Sequence, residues 1–240
     1  MNDIGQLEKY LITLIIIIQA ITKGGKVMSE SINMTEHDNH NEEFWNVITH
    51  GVGFLLSIPA LFLLMHKANL VSSSIYMASF IVFGLTMMIL YLSSTLFHGF
   101  KKYKHIFSKL DHFSIYLFIA GTYTPIALIG VGGKLGITIC LIEWILTCIG
   151  IVCKCFFIYR YKKLSLLFYI SMGWLVVIAI NPLVAHITWT GFLILLAGGI
   201  FYTVGAYFYQ NNKIPYNHAI WHLFVLAGSA SMYWCIIDYL

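Results

Sequence analysis

Long apolar runs, interrupted at intervals by short polar or turn-forming clusters, fill nearly all of the chain after position 44. Each is about 20 residues long, the length an α-helix needs to cross the hydrocarbon core of a bilayer. The interruptions set spans at about 45–66, 73–99, 109–130, 135–157, 164–185, 189–209 and 217–238. The expected fold class is all-α: a polytopic membrane protein built as a seven-transmembrane helix bundle. A strand barrel is disfavoured, because the segments are continuously apolar instead of alternating in short runs.

Composition agrees with the pattern. Hydrophobic residues make up 59% of the 240 positions and charged ones 10%, against roughly 25% charged in soluble domains. The net charge of +4 gives no reason to expect a nucleic-acid partner, because the basic residues lie in short clusters between apolar runs. Such clusters act as orientation signals, cytoplasmic loops being enriched in Lys and Arg. With the amino terminus inside, that face holds Lys9, Lys23, Lys26, Lys101, Lys102, Lys104, Lys109, Lys154, Arg160, Lys162, Lys163 and Lys213, and the opposite face only Lys67 and Lys134. The bias predicts a cytoplasmic amino terminus and an outside carboxy terminus, opposite to G-protein-coupled receptors.

Two parts are expected: a cytoplasmic tail over 1–43 and the membrane domain over 44–240. Within the tail, residues 10–22 are apolar but too short for a span, and Asp3 and Glu8 spoil a basic signal-peptide leader. They read as a dispensable extension, with Met28 an alternative start. The polar stretch beyond them reads as disordered. It carries an Asn33-Met34-Thr35 sequon that a cytoplasmic tail would not expose to glycosylation. Five cysteines, four of them at 140, 148, 153 and 155, do not describe a disulfide framework. Cys153 and Cys155 could be lipidated or bind metal, but buried apolar thiols are the preferred reading.

Ionisable residues within or beside spans are functional candidates. His98 ends the second span with Ser94 one turn earlier, Asp111 and His112 begin the third, and His218 and His222 begin the seventh. All fall at the cytoplasmic face in the predicted topology. Residues four apart share a helix face about 6 Å apart in rise, so His218 and His222 form a helical half-site for zinc like that of H-E-x-x-H proteins, although Ala219 replaces the glutamate. His98 as third ligand completes a three-residue set with a fourth position for water. Asp111 can accept that water's proton, and Ser94 can orient the imidazole or bond a developing oxyanion.

Simpler readings stand beside these. A histidine at a helix end often only reaches for the interface or bonds a carbonyl. His112 points about 100° away from Asp111, and His37, His40, His66, His105 and His186 read as solvated. Asn46 and His50, preceded by Glu42 and Glu43, either support the metal ligands from behind or cap the first helix. Glu143, deep in the fourth span, is expected to face the bundle and pair with a polar neighbour, in protonated form if uncharged, with a proton-relay role as the alternative reading. Glycines of GTYTP and AGGIFYTVG read as close helix contacts, and Pro125 as a kink or helix end.

The blocks NVITHGVG, SSTLFH, LDHFSIYLFIAGTYTP, GGIFYTVGAYFY and HAIWHLFVLAGS resemble the hemolysin III family, which groups with progestin and adiponectin receptor-like proteins and more distantly with alkaline ceramidases. The resemblance covers about 44–240. It implies a seven-helix bundle with zinc near the cytoplasmic face, held by His98, His218 and His222, with Asp111 acting through water and Ser94 in the neighbouring motif position. Three functions compete: a zinc-dependent hydrolase of a lipid amide or ester, a lytic protein that permeabilises bilayers, and a receptor-like zinc protein without turnover. Seven apolar spans sit poorly with the second, since such a chain cannot readily leave its own membrane. The expected location is a bacterial inner membrane, with membrane lipid as substrate or surroundings.

Overall fold

The computed structural model describes the backbone of residues 26–157 and 162–240, and side chains over 41–156 and 163–240. The expectations for the stretch 10–22, the sequon, His37 and His40 lie outside the described residues or side chains. Residues Glu43–Leu240 form one compact unit, which contains every candidate site residue.

Seven α-helices are described: α1 (Lys26–Val71), α2 (Ser74–Gly99), α3 (Lys104–Pro125), α4 (Gly133–Phe157), α5 (Lys162–Gly173), α6 (Ile180–Gln210) and α7 (Asn217–Tyr239). No strand occurs among the described residues. Six segments are long and apolar enough to cross a membrane: Asn41–Val71, Ser74–Gly99, Lys104–Val131, Gly133–Phe156, Lys163–Gln210 and Asn217–Tyr239. The protein is therefore an all-helical, polytopic membrane protein.

The expected spans 164–185 and 189–209 both fall inside the fifth of these segments. Its 48 residues would reach about 70 Å as one straight helix, more than twice a hydrocarbon core of about 30 Å. Two interruptions break it: a three-ten turn over Leu175–Ala179 and a non-helical residue, Thr188, at φ 65° and ψ 170°.

Pro125 ends α3 as expected, and a single π turn, Ile126–Val131, carries the chain onward to Gly132 and Gly133. Tyr123 stitches this region to the α5–α6 connection, its hydroxyl donating to the Gly173 carbonyl (2.9 Å) and accepting from the Val176 amide (2.8 Å). Irregular backbone at membrane depth persists where protein covers it and such bonds satisfy it.

The helices pack through small residues, as van der Waals contact between helices in lipid favours. A Cβ on Gly205 would lie 2.6 Å from the Cβ of Phe224, and one on Gly198 2.8 Å from the Met232 methyl, so α6 and α7 approach at glycines. Gly121 similarly sits against Thr86, joining α3 to α2. The main core gathers Phe80, Phe83, Leu90, Phe118, Leu183 and Ile236. The segment Lys104–Val131 is the most buried of the six, and Asn41–Val71 is largely exposed. Leu55, Leu56, Phe62 and Leu63 on α1 are exposed, a face suited to lipid tails. Of the cysteines, Cys140 and Cys235 are buried, but Cys148, Cys153 and Cys155 are exposed. That corrects the buried reading of Cys153 and Cys155: the outer face of α4 is itself apolar ground in a membrane, so thiols need no core to avoid water.

Candidate metal centre

His98 is carried by the last turn of α2, and His218 and His222 by the first turns of α7. Their rings form a triangle, with centroids 4.8 Å apart for His98 and His218, 4.8 Å for His218 and His222, and 5.2 Å for His98 and His222. One ring nitrogen from each lies within 4.8 Å of the other two, the only such group of potential ligands among the described residues. His222 and the side chain of His98 are buried.

The middle of α1, from Glu43 to His50, supplies a wall behind these rings. Glu43 Oε2 bonds His98 Nδ1, and Glu43 Oε1 accepts from Lys104 Nζ at 2.7 Å. Asn46 Nδ2 lies 3.4 Å from the same His98 nitrogen. Thr49 Oγ1 is 3.1 Å from His222 Nδ1, and the Asn46 carbonyl is 3.3 Å from it. The Thr49 hydroxyl is placed to donate to the Trp45 carbonyl at 2.8 Å, so the bond to the imidazole is best made by His222 Nδ1–H. This leaves Nε2 of His222 with its lone pair. His98 follows the same logic: with Nδ1 turned to the carboxylate, Nε2 is buried and has no hydrogen-bond partner. A carboxylate or carbonyl behind one ring N–H, with the lone pair of the other nitrogen left to ligate, is the arrangement that orients metal-binding histidines.

His50 stacks on His222 with centroids 3.6 Å apart and planes 13° from parallel, and its edge meets Tyr91 at 5.2 Å. Both of its nitrogens are buried without partners. Asn46 and His50 thus face the histidine cluster instead of capping α1. Ser94 is buried, faces Asp111 and completes no well-formed hydrogen bond. Asp111 lies within electrostatic reach of His98 but outside the compact ligand group. His112 lies outside the ligand group, with Nδ1–H donating to the Ser108 carbonyl at 2.7 Å and the same nitrogen 4.0 Å from Asp111 Oδ2. His66, His105 and His186 are exposed.

Three converging imidazoles, with Nε2 of His98 lacking a partner, fit a borderline metal such as zinc, whose ligands are typically histidine nitrogens at about 2.0–2.1 Å. A short inward movement of the rings would bring them to one ion. Glu43 and Thr49 were missed as site residues. Their signal was legible, since positions 43, 46, 49 and 50 share one helix face.

The profile described as haemolysin-III related matches residues 38–233. The chain belongs to the hemolysin III family. It is 51% identical over 200 residues to Hemolysin-3 of Bacillus cereus, covering 82% of this chain and 91% of that protein. It is equally 51% identical over 201 residues to the Hemolysin-3 homolog of Bacillus subtilis (strain 168), covering 82% and 94%. A more distant similarity, 32% over 170 residues, links it to the monocyte to macrophage differentiation factor of Homo sapiens, covering 66% of this chain and 69% of that protein. The family match spans all the candidate ligands. The bacterial relatives and the apolar helical bundle make this hemolysin III protein an integral membrane protein of a bacterial plasma membrane.

Proposed function

We propose that this hemolysin III protein is a zinc-binding membrane protein that hydrolyses a lipid amide or ester at the cytoplasmic face. The observation that carries the reading is the convergence of His98, His218 and His222 from two helices, each imidazole of the buried pair held by its Nδ1. Its topology is seven spans, Thr188 separating the fifth from the sixth, with the amino terminus inside, as twelve of fourteen basic residues favour. In this reading the chain consists of a tail over 1–43 and a membrane domain over 44–240.

Bound zinc would supply Lewis acidity toward a water molecule or an acyl carbonyl. The chain's own groups do the rest. His98, His218 and His222 offer the three ligand nitrogens. Glu43 keeps Nδ1–H of His98 engaged and so aims Nε2, while Thr49 and the Asn46 carbonyl do the same for His222. In this reading Asp111, within electrostatic reach of His98, takes a proton from an attacking water, and the Ser94 hydroxyl donates to a developing oxyanion. The lytic reading fits less well, because nothing in the lipid-covered bundle provides a soluble form. A receptor-like protein without turnover shares the metal site and differs only in whether water and substrate reach it.

Elemental analysis of purified protein decides the metal. Wild type should carry zinc, and His98→Ala, His218→Ala and His222→Ala should each lose it; undiminished zinc in all three variants would refute the site. A panel of lipid amides and esters then separates the readings: turnover abolished in Asp111→Ala supports hydrolysis, and no turnover by zinc-loaded wild type supports the receptor-like alternative.

A further inference from the structure

The fourth span contains a carboxyl that the histidine centre does not use. Glu143 lies ten residues into α4, about 15 Å along the axis, and its side chain is completely buried. Neither carboxyl oxygen has a hydrogen-bond partner. The three ion pairs among the described side chains join Glu43, His98, Lys104, Asp111 and His112, and none reaches Glu143. The expected polar pairing is therefore absent.

The surroundings explain why. One turn before Glu143 lie Ile139 and Cys140, which pack with Tyr123, Ala127 and Ala179 in a small separate core. The titratable groups that face the carboxyl are Tyr123 on α3 and Cys140 on α4. Neither is cationic, and the Tyr123 hydroxyl already donates to Gly173. Trp144, the next residue, gives its Nε1–H to Thr124 at 3.1 Å. The π turn and the three-ten turn packed here contribute Ala127, Leu175, Val176 and Ala179, all apolar. A bare carboxylate in such a place has neither water nor counter-charge, a situation that strongly disfavours the ionised form.

We propose that Glu143 is a proton-binding site in the membrane interior, separate from the histidine centre, that holds its proton while α3, α4 and the α5–α6 connection stay closed around it. Release breaks the carboxyl O–H bond and passes the proton to water admitted when that contact opens. The two helix interruptions beside it, at Ile126–Val131 and Leu175–Ala179, are where the packing has least regular backbone to break.

Infrared spectra of the full-length protein in lipid nanodiscs test this. At neutral pH the wild type should show a protonated-carboxyl C=O band, shifting in D2O, that disappears in Glu143→Gln. Glutamine keeps the shape of the neutral acid without needing a proton on folding, so this variant should fold with a thermal midpoint equal to the wild type's at acid pH and higher at neutral pH. Raising the pH should remove the band reversibly and lower the wild-type midpoint more than that of the variant. A wild-type spectrum with no such band, or a band that persists in Glu143→Gln, overturns the proposal. So does a variant that fails to fold while Glu143→Asp folds, since that would mean the negative charge, and with it a bound cation, is required. The outcome is independent of zinc content and of hydrolysis.

Discussion

Glu43 is the residue whose role is most open to direct measurement. It bridges His98 and Lys104 from the middle of α1, so Glu43→Gln should leave the bundle intact but weaken zinc binding about 10–100-fold, the usual effect of losing a partner behind a ligating imidazole. Competition with a chelator of known affinity reads this; wild-type affinity in the variant would make Glu43 only a surface partner of Lys104. His218 and His222 were legible as a pair from spacing alone, because i, i+4 positions must share a face. Which nitrogen each imidazole offers was not legible. That depends on Glu43, Asn46 and Thr49, whose approach is a matter of helix packing.

At the level of elements, two backbone features carry predictions. Thr188 holds φ 65° and ψ 170°, a region suited to glycine and costing other residues about 1–3 kcal/mol. Thr188→Gly should therefore raise the thermal midpoint, whereas Thr188→Pro, with φ locked near −65°, should destabilise the fifth segment. A lower midpoint for the glycine variant would contradict this strain. Gly205 admits Phe224 and Trp221 of α7, so Gly205→Leu should push α6 from α7 and cost about 1–3 kcal/mol by overpacking, read as a lower midpoint in lipid. The sequence marked this glycine as a contact and Pro125 as a helix end, since both act through local geometry. The three-ten turn at Leu175–Ala179 had no such punctuation: no proline or charge interrupts LVVIA, and its placement comes from the Tyr123 bonds across the bundle.

For the whole molecule, the testable quantities are topology and the dependence of the fold on metal. A phosphatase fused after Leu240 should be active only outside the membrane, and activity restricted to the cytoplasm would reverse the orientation. Chelation should lower the midpoint of the wild type, as expected when a ligand leaves the folded state, and leave His222→Ala unmoved. By itself, the sequence determined the helical class, most span limits and the end of the bundle where the polar residues gather, because hydrocarbon thickness and backbone hydrogen bonding in lipid allow few alternatives. Only the tertiary structure decided that α1 backs the histidines with Glu43 and Thr49, that Cys153 and Cys155 face outward, and that Glu143 is buried with no partner. Those outcomes depend on which helix faces which, and hydropathy along one chain does not encode the rotation of a helix against its neighbours.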